Sequence, residues 1–480
     1  MTEPRTGARD ECGVFAVFAP AEDVAKLCFY GLYALQHRGQ ESAGIAVSDG
    51  QRILVTKEMG LVNKVFDEAR LAGLHGHLGV GHVRYSTTGS STWDNAQPAF
   101  KVTPSGGAIA LGHNGNLVST GHLAAELGVA GEACTTDSEL LTTLLASADS
   151  TSLEGAIIDV ARRLHGAFSV VVMDETTIYG FRDPHGVRPL VIGRLPRGGY
   201  VLASETSGLD IVGAHLVRDV EPGELVAVDA DGLRSRRFAD ATPALCVFEY
   251  VYLARPDHRV ADLGERSGTT SVYAARHRMG ELLAGEAPVD ADLVIPVPDS
   301  GTAAAAGYAE GAGIPYGEGL VKNRYVGRTF IEPSQPVREL GIRLKLNPLR
   351  DMIEGRRLVV VDDSIVRGNT SRQLVAMLRQ SGAAAVHLRI TSPPVRNPCY
   401  YGVDMATRAE LVASGLTIEE IRDFVGADSL AYLSLDALVA ATGRPASSLC
   451  RACFDGQYPI PVPMEQPSRV PQPALFTELA

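Results

Sequence analysis

No stretch of this chain is apolar for long enough to cross a membrane. Its first eleven residues, Met1 to Glu11, are polar and charged without an apolar core, so no secretory signal is visible. Neither a Walker A string nor an intact GxGxxG occurs, which removes two common phosphate-loop signatures. There is no internal repeat. Positive charge is scarce as well, with 44 Lys and Arg against 56 Asp and Glu for a net charge of −12. A nucleic-acid surface needs clustered cations, so no nucleic acid and no membrane is expected as a partner. The seven cysteines are odd in number and widely spread, which fits metal binding or catalysis better than a disulfide framework. From these absences a cytoplasmic protein is expected.

What is present describes a globular protein of more than one domain. A chain of 480 residues exceeds one ordinary core, and 45% hydrophobic with 21% charged residues is an ordinary composition. In the first half, Gly13 to Phe18, Ala43 to Val47, Val80 to Arg84, Ala108 to Leu111 and Phe168 to Met173 read as strands. Val24 to Leu35, Ser138 to Ala146 and Leu153 to Leu164 have helical spacing. Tight strand spacing from Ile178 to Val228 predicts antiparallel sheet. A polar stretch from Arg236 to Thr242 marks a domain boundary. Beyond it, strands at Asp292 to Val297, Leu358 to Val361 and Ala385 to Ile390 alternate with helices, beginning with Thr302 to Glu310. That alternation predicts a parallel doubly wound sheet. Late helices are expected at Ile418 to Val425 and Leu430 to Ala441, and the Pro-rich tail from Pro461 to Pro473 is expected to be poorly ordered.

The most informative segment is Arg357-Leu-Val-Val-Val-Asp-Asp-Ser-Ile-Val-Arg-Gly-Asn-Thr370. A buried strand stops at Asp362 and Asp363, and a helical pattern begins near Thr370. Open α/β sheets bind ligands at such a place. Backbone N–H groups at the helix start suit a phosphate, and the acidic pair suits sugar hydroxyls or a metal ion. A solvated loop with a helix cap at Ser364 or Thr370 is the plainer alternative. The full string resembles the type I phosphoribosyltransferases, which bind 5-phosphoribosyl-1-pyrophosphate (PRPP). The resemblance implies that Asp362 and Asp363 hold the ribose hydroxyls while Ser364, Arg367, Gly368 and Thr370 wrap the 5′-phosphate. Asn369 stands where close relatives carry a second Thr. Asp299-Ser300-Gly301-Thr302 resembles the pyrophosphate turn, with Ser300, Asp362 and Asp363 at Mg²⁺. Lys322, Arg324 and Arg328 fall in a string resembling the lid that closes over PRPP and shields it from water.

The string Glu11-Cys12-Gly13-Val14-Phe15 resembles the start of the class II glutamine amidotransferases, whose nucleophile is an N-terminal Cys. The resemblance implies an N-terminal nucleophile (Ntn) hydrolase-type αββα sandwich, and removal of residues 1–11 as a propeptide. A freed Cys12 α-amine, with a pKa of roughly 7.7–8.0, can serve as base for its own thiol, whereas an amide nitrogen cannot. His82-Val-Arg84-Tyr-Ser-Thr87-Thr-Gly89 resembles the segment gripping the glutamine carboxylate, with Arg84 as clamp. His113-Asn114-Gly115-Asn116 resembles the oxyanion hole, and Asp137 sits where the family pairs the substrate amine. Alone, Asn114-Gly115 would read as a turn and Arg84 as a surface ion pair.

Cys450 and Cys453 form a CxxC, with Cys246 and Cys399 remote in sequence. Four thiolates suit zinc or an iron–sulfur cluster equally. Resemblance to one branch of the PRPP amidotransferases implies a 4Fe-4S cluster on these four, and that branch also carries the propeptide. Cys28 and Cys134 read as packing residues. The whole resemblance implies residues 12–240 as the amidotransferase domain, 241–460 as the phosphoribosyltransferase domain, and 461–480 as a tail. It further implies glutamine and PRPP as substrates, purine nucleotides as inhibitors and a homotetramer.

Overall fold

A computed structural model describes residues 12–85, 91–118, 120–127, 134–261, 269–323, 345–405 and 407–462. Its first half is a sandwich of two antiparallel sheets between helices. In the seven-stranded sheet, Gly13–Phe18 lies at the middle, paired with Tyr200–Ala203 on one side and Leu78–Arg84 on the other. All six residues of that strand are buried. Their alternation explains why: Phe15 and Val17 face the helix layer, while Val14, Ala16 and Phe18 face the second sheet. The six-stranded sheet repeats the device in Gly166–Met173, with Phe168, Val170 and Val172 toward helices and Val171 and Met173 inward.

Helix Val24–Ala34 covers the first sheet, and helices Asp137–Ser147 and Leu153–Ala161 cover the second. Each starts at a side-chain cap, from Asp23, Thr136 and Ser152 respectively. The expected αββα order is therefore what stands here.

Strand Ala108–Leu117 runs six residues past the predicted Ala108 to Leu111. Asn114-Gly115 is no turn, because His113 to Leu117 pair in register with Gly166 to Val170. Tertiary pairing outweighs local turn preference. Gly115 reaches this register only at φ +144°, where an added Cβ would meet the Ala167 carbonyl oxygen at 2.0 Å.

The second half holds a parallel sheet in the order Leu293–Pro296, Arg357–Asp362, Ala385–Ile390, Ser429–Tyr432. Val359 and Val361 face helices Val272–Glu286 and Thr302–Ala312, while Leu358 and Val360 face Asn369–Gln380 and Ile418–Val425. Helices on both faces make the sheet doubly wound. The predicted helix Leu430 to Ala441 is a correction. Leu430 to Tyr432 join the sheet beside Leu388 to Ile390, and the helix, Leu435–Thr442, starts afresh at the Ser434 cap. A short apolar run does not distinguish strand from helix by periodicity.

Helices Val272–Glu286 and Thr302–Ala312 cross at glycines. A Cβ on Gly280 would lie 1.9 Å from the Ala304 carbonyl oxygen, and one on Gly307 equally close to that of His277. Gly280→Ala should therefore lower the melting temperature, since overpacking costs roughly 1–3 kcal/mol against a helix-propensity gain near 1 kcal/mol. Calorimetry checks the sign. Among the described residues, no helix is long and apolar enough to cross a membrane.

Candidate functional site

Two polar sites and one cysteine cluster emerge. At the first, Cys12 stands just before the central strand, and pairing of Gly13 with Val83 sets it beside Arg84 on the neighbouring strand. Cys12, Arg84, His113, Gly115 and Asp137 line one cavity. The Cys12 thiol donates to the Tyr85 carbonyl at 3.4 Å. Burial pushes that thiol up to about 11, against the smaller opposing effects of the Tyr85 bond and Arg84. A neutral thiol is a poor nucleophile and needs a base at hand.

Arg84 is buried and lies 3.7 Å from the Glu41 carboxylate. Asp137 opens its helix and accepts from the Leu117 and Ser138 backbone N–H groups at 3.1 and 2.8 Å. Asn114 is buried, and among the described residues neither its amide nitrogen nor its oxygen has a hydrogen-bond partner. Unpaired buried amides are rare and mark where a ligand could bond.

The second site gathers at the carboxyl ends of two adjacent parallel strands. Asp362 closes Arg357–Asp362, and the Asp299-Ser300-Gly301 turn follows its neighbour Leu293–Pro296. Gly301 permits this approach, for its Cβ would lie 2.4 Å from the Val361 carbonyl oxygen. Ser300 and Ser364 both hydrogen-bond the Asp363 carboxylate, Ser364 at 2.6 Å. Burial first, then the charge of Asp363, raise Asp362 well above the usual carboxylate range. Burial raises Asp363 too, against the bonds from Ser300 and Ser364.

Helix Asn369–Gln380 begins at Gly368, in the left-handed region at φ 78°, with no side-chain cap. Neither Ser364 nor Thr370 is its cap, so the first-turn N–H groups lack a side-chain partner and suit a phosphate. Arg367 donates to Glu410 at 2.8 Å, while its other two guanidinium nitrogens have no partner among the described residues. Thr370 is exposed. Lys322 pairs with Asp299 at 2.5 Å. Thr87, Arg324, Arg328, residues 1–11 and the tail beyond 462 lie outside the described residues.

Cys246, Cys399, Cys450 and Cys453 line a third, mostly apolar cavity, drawn from segments more than two hundred residues apart. Cys246 and Cys450 are register partners in a short parallel pair. The Tyr401 N–H donates to the Cys399 sulfur at 3.4 Å. Burial pushes the Cys450 thiol up to about 12 and raises Cys453 well above the ordinary thiol value, with the other three cysteines adding to the latter. No three of these sulfurs lie within 4.8 Å of one another among the described residues. Cys28 is buried and Cys134 half-buried, in keeping with packing.

Several residues at these sites carried no motif of their own. Glu205 and Glu249 are buried carboxylates bound to Arg38, and Arg276 is a buried guanidinium near Asp363. The one available signal was a charge inside an apolar run, as in Val247-Phe-Glu249-Tyr-Val.

Comparison with known proteins decides the family. A glutamine amidotransferase domain profile matches residues 82–210. The chain is 59% identical over 471 residues to the amidophosphoribosyltransferase of Mycobacterium bovis, covering 95% of this chain and 88% of that protein. The chain belongs to the amidophosphoribosyltransferase family. The Synechococcus elongatus amidophosphoribosyltransferase is 53% identical over 464 residues, covering 95% of this chain and 92% of that one. The solved glutamine PRPP amidotransferase of Bacillus subtilis, in complex with ADP and GMP, superposes with a TM-score of 0.86 at 43% identity. That match covers 95% of this chain and 98% of the other. As an amidophosphoribosyltransferase, the chain forms 5-phosphoribosylamine, glutamate and pyrophosphate from PRPP, glutamine and water, at the first step of purine synthesis.

Proposed function

We propose the residue roles by which this amidotransferase joins its two half-reactions. The observation that carries them is the placement of Cys12, Arg84, Gly115 and Asp137 around one cavity. Arg84 grips the glutamine α-carboxylate and Asp137 its α-amine, and Thr87 is assigned to glutamine by the same resemblance. Cys12, freed by removal of residues 1–11, uses its α-amine to take the thiol proton. The thiolate attacks the side-chain amide, and the Asn114 amide and Gly115 N–H stabilise the oxyanion. Ammonia leaves, and water releases glutamate from the thioester.

At the second site, Asp362 and Asp363 hold the ribose hydroxyls and the open helix start after Gly368 takes the 5′-phosphate, with Ser364, Arg367 and Thr370. Ammonia then displaces pyrophosphate from C1 of PRPP. Ser300, Asp362 and Asp363 would hold Mg²⁺, which supplies positive charge to the leaving pyrophosphate. Lys322, Arg324 and Arg328 contribute further cations from the lid.

Cys246, Cys399, Cys450 and Cys453 fit a resident 4Fe-4S cluster. Metal binding needs thiolates, and burial raises the Cys450 and Cys453 thiols, so they would ionise there only with the positive charge of a bound metal beside them. One tetrahedral zinc at about 2.3 Å would draw its sulfurs to roughly 3.8 Å from each other, closer than this spread. A cluster of four irons spans more. Its role here is to pin the C-terminal segment. Purine nucleotides as inhibitors and a homotetramer complete the reading, in line with the ADP and GMP of the Bacillus subtilis structure.

Protein purified without oxygen should begin at Cys12 by intact mass, carry iron and sulfide with a visible chromophore, and release glutamate and pyrophosphate together. A chain that starts at Cys12 yet makes no phosphoribosylamine would sink the assignment of roles. Zinc in place of iron would overturn the cluster alone.

A further inference from the structure

One deeply buried cluster of charge among the described residues is left unused by the proposed chemistry. Arg38 and Arg188 face Glu205 and Glu249, and all four side chains are at most 1% exposed. Buried ion pairs of this kind add little stability over apolar residues of the same size, because desolvation offsets their attraction. What they do provide is fixed geometry. Arg38 donates through its terminal nitrogens to Glu205 at 2.5 Å and to both oxygens of Glu249 at 2.8 and 3.1 Å. With those held, its Nε donates to the Cys12 carbonyl at 3.2 Å.

The two carboxylates come from different parts of the fold. Glu205 follows strand Tyr200–Ala203 of the amidotransferase sheet, whereas Glu249 lies in the run Val247 to Ala254, whose apolar residues pack in the core beneath the parallel sheet. That run is held from its other side by Arg276, which donates to the carbonyls of Tyr250 and Ala254, each at 2.8 Å. The Arg276 charge is also felt by Asp363 in the PRPP loop.

We propose that Glu249 is a positioning residue for the glutaminase step: from the phosphoribosyltransferase half it fixes the Arg38 guanidinium that holds the Cys12 carbonyl. The inference rests on Cys12 being the nucleophile. Holding that carbonyl fixes the Cys12–Gly13 peptide plane and so the direction in which the thiol leaves the backbone. Arg188, 3.6 Å from Glu249, keeps the carboxylate from turning away. Removing the charge of Glu249 leaves two buried guanidinium groups facing one carboxylate, and Arg38 then has reason to shift. A displacement of the nucleophile by about 1 Å can cost on the order of a hundredfold in rate.

The test compares Glu249→Gln and Glu249→Asp with the parent holoenzyme, after intact mass shows that each begins at Cys12. Glu249→Gln should lower glutaminase kcat by about 10–100-fold with glutamine KM within about threefold, since Arg84 and Asp137 are untouched. Glu249→Asp, which keeps the charge, should recover part of that loss. The pH profile of Cys12 alkylation by iodoacetamide should shift in Glu249→Gln, which a merely structural role would not cause. Phosphoribosylamine formation from ammonia and PRPP should stay within about twofold of the parent, because the second site is intact.

An unchanged glutaminase kcat, or a parallel loss of the ammonia-dependent rate, would overturn the proposal. If Glu249→Gln does not fold, Arg38→Lys carries the same expectation, because an ammonium has no planar fork to bridge two carboxylates and a carbonyl. Absence of ammonia-dependent activity in the parent protein would instead count against the roles proposed for the second site.

Discussion

Cys12→Ala should abolish glutamine-dependent synthesis, by about a thousandfold or more, while ammonia-dependent synthesis survives. The asymmetry follows from the fold. Cys12 belongs to a cavity of the antiparallel sandwich, whereas the acidic loop sits at the carboxyl edge of a separate parallel sheet. Among the described residues, Cys12 is in neither of the apolar clusters that pack the parallel sheet. The measurement is a pair of assays on one preparation, glutamine with PRPP and ammonium with PRPP at a pH where free ammonia is abundant. Equal loss in both assays would mean that Cys12 is structural. The unprocessed chain should behave like the variant, because its thiol is held neutral by burial and an amide nitrogen cannot accept the proton.

Asp363→Asn and Asp362→Asn should have the opposite pattern of specificity, lowering both assays together by about a hundredfold or more. Hydrogen bonds to a charged group contribute roughly 1.5–3 kcal/mol each, and with the roles proposed for these carboxylates each bond would bear on PRPP in either reaction. The two carboxylates also set a pH dependence. Asp362 is raised by burial and by Asp363, and positive charge from Mg²⁺ beside it would favour loss of its proton. Affinity for Mg·PRPP should therefore increase as pH rises through the Asp362 titration, and calorimetry in two buffers should show proton release.

The same shift has a consequence for stability. A carboxyl whose folded pKa lies above its unfolded value near 3.9 makes the fold less stable as pH rises between the two. Asp362→Asn removes that burden and should raise the melting temperature at neutral pH even as activity falls. A lower melting temperature would show that burial was not the dominant influence on Asp362.

Much of this was legible in the residues. Strands with two buried faces, such as Gly13–Phe18 and Arg357–Asp362, announce themselves as continuous apolar runs. Site strings that end on a strand keep their geometry because strand and helix fix where the loop begins. Legibility failed where an outcome depended on a partner remote in the chain. Leu430 to Tyr432 became a strand because Ile390 and its neighbours offered an edge, and His113 to Asn116 stayed extended because Gly166 to Val170 lay alongside. Glu249 has no spacing to betray it, since its partners Arg38 and Arg188 lie 211 and 61 positions away. A lone carboxylate among apolar residues is the only trace such a residue leaves.

The cysteine cavity imposes an order on synthesis. Cys246 can meet Cys450 only after the ribosome has passed residue 450, and Cys453 arrives later still. The antiparallel sandwich, whose last strand ends at Arg237, can close while the rest of the chain is still being made. A product cut short between these points could close the sandwich but would lack the cysteine site, and one ending before Glu249 would also lack the carboxylate that holds Arg38. The cysteine site is thus the last of the three to be completed as the chain is made.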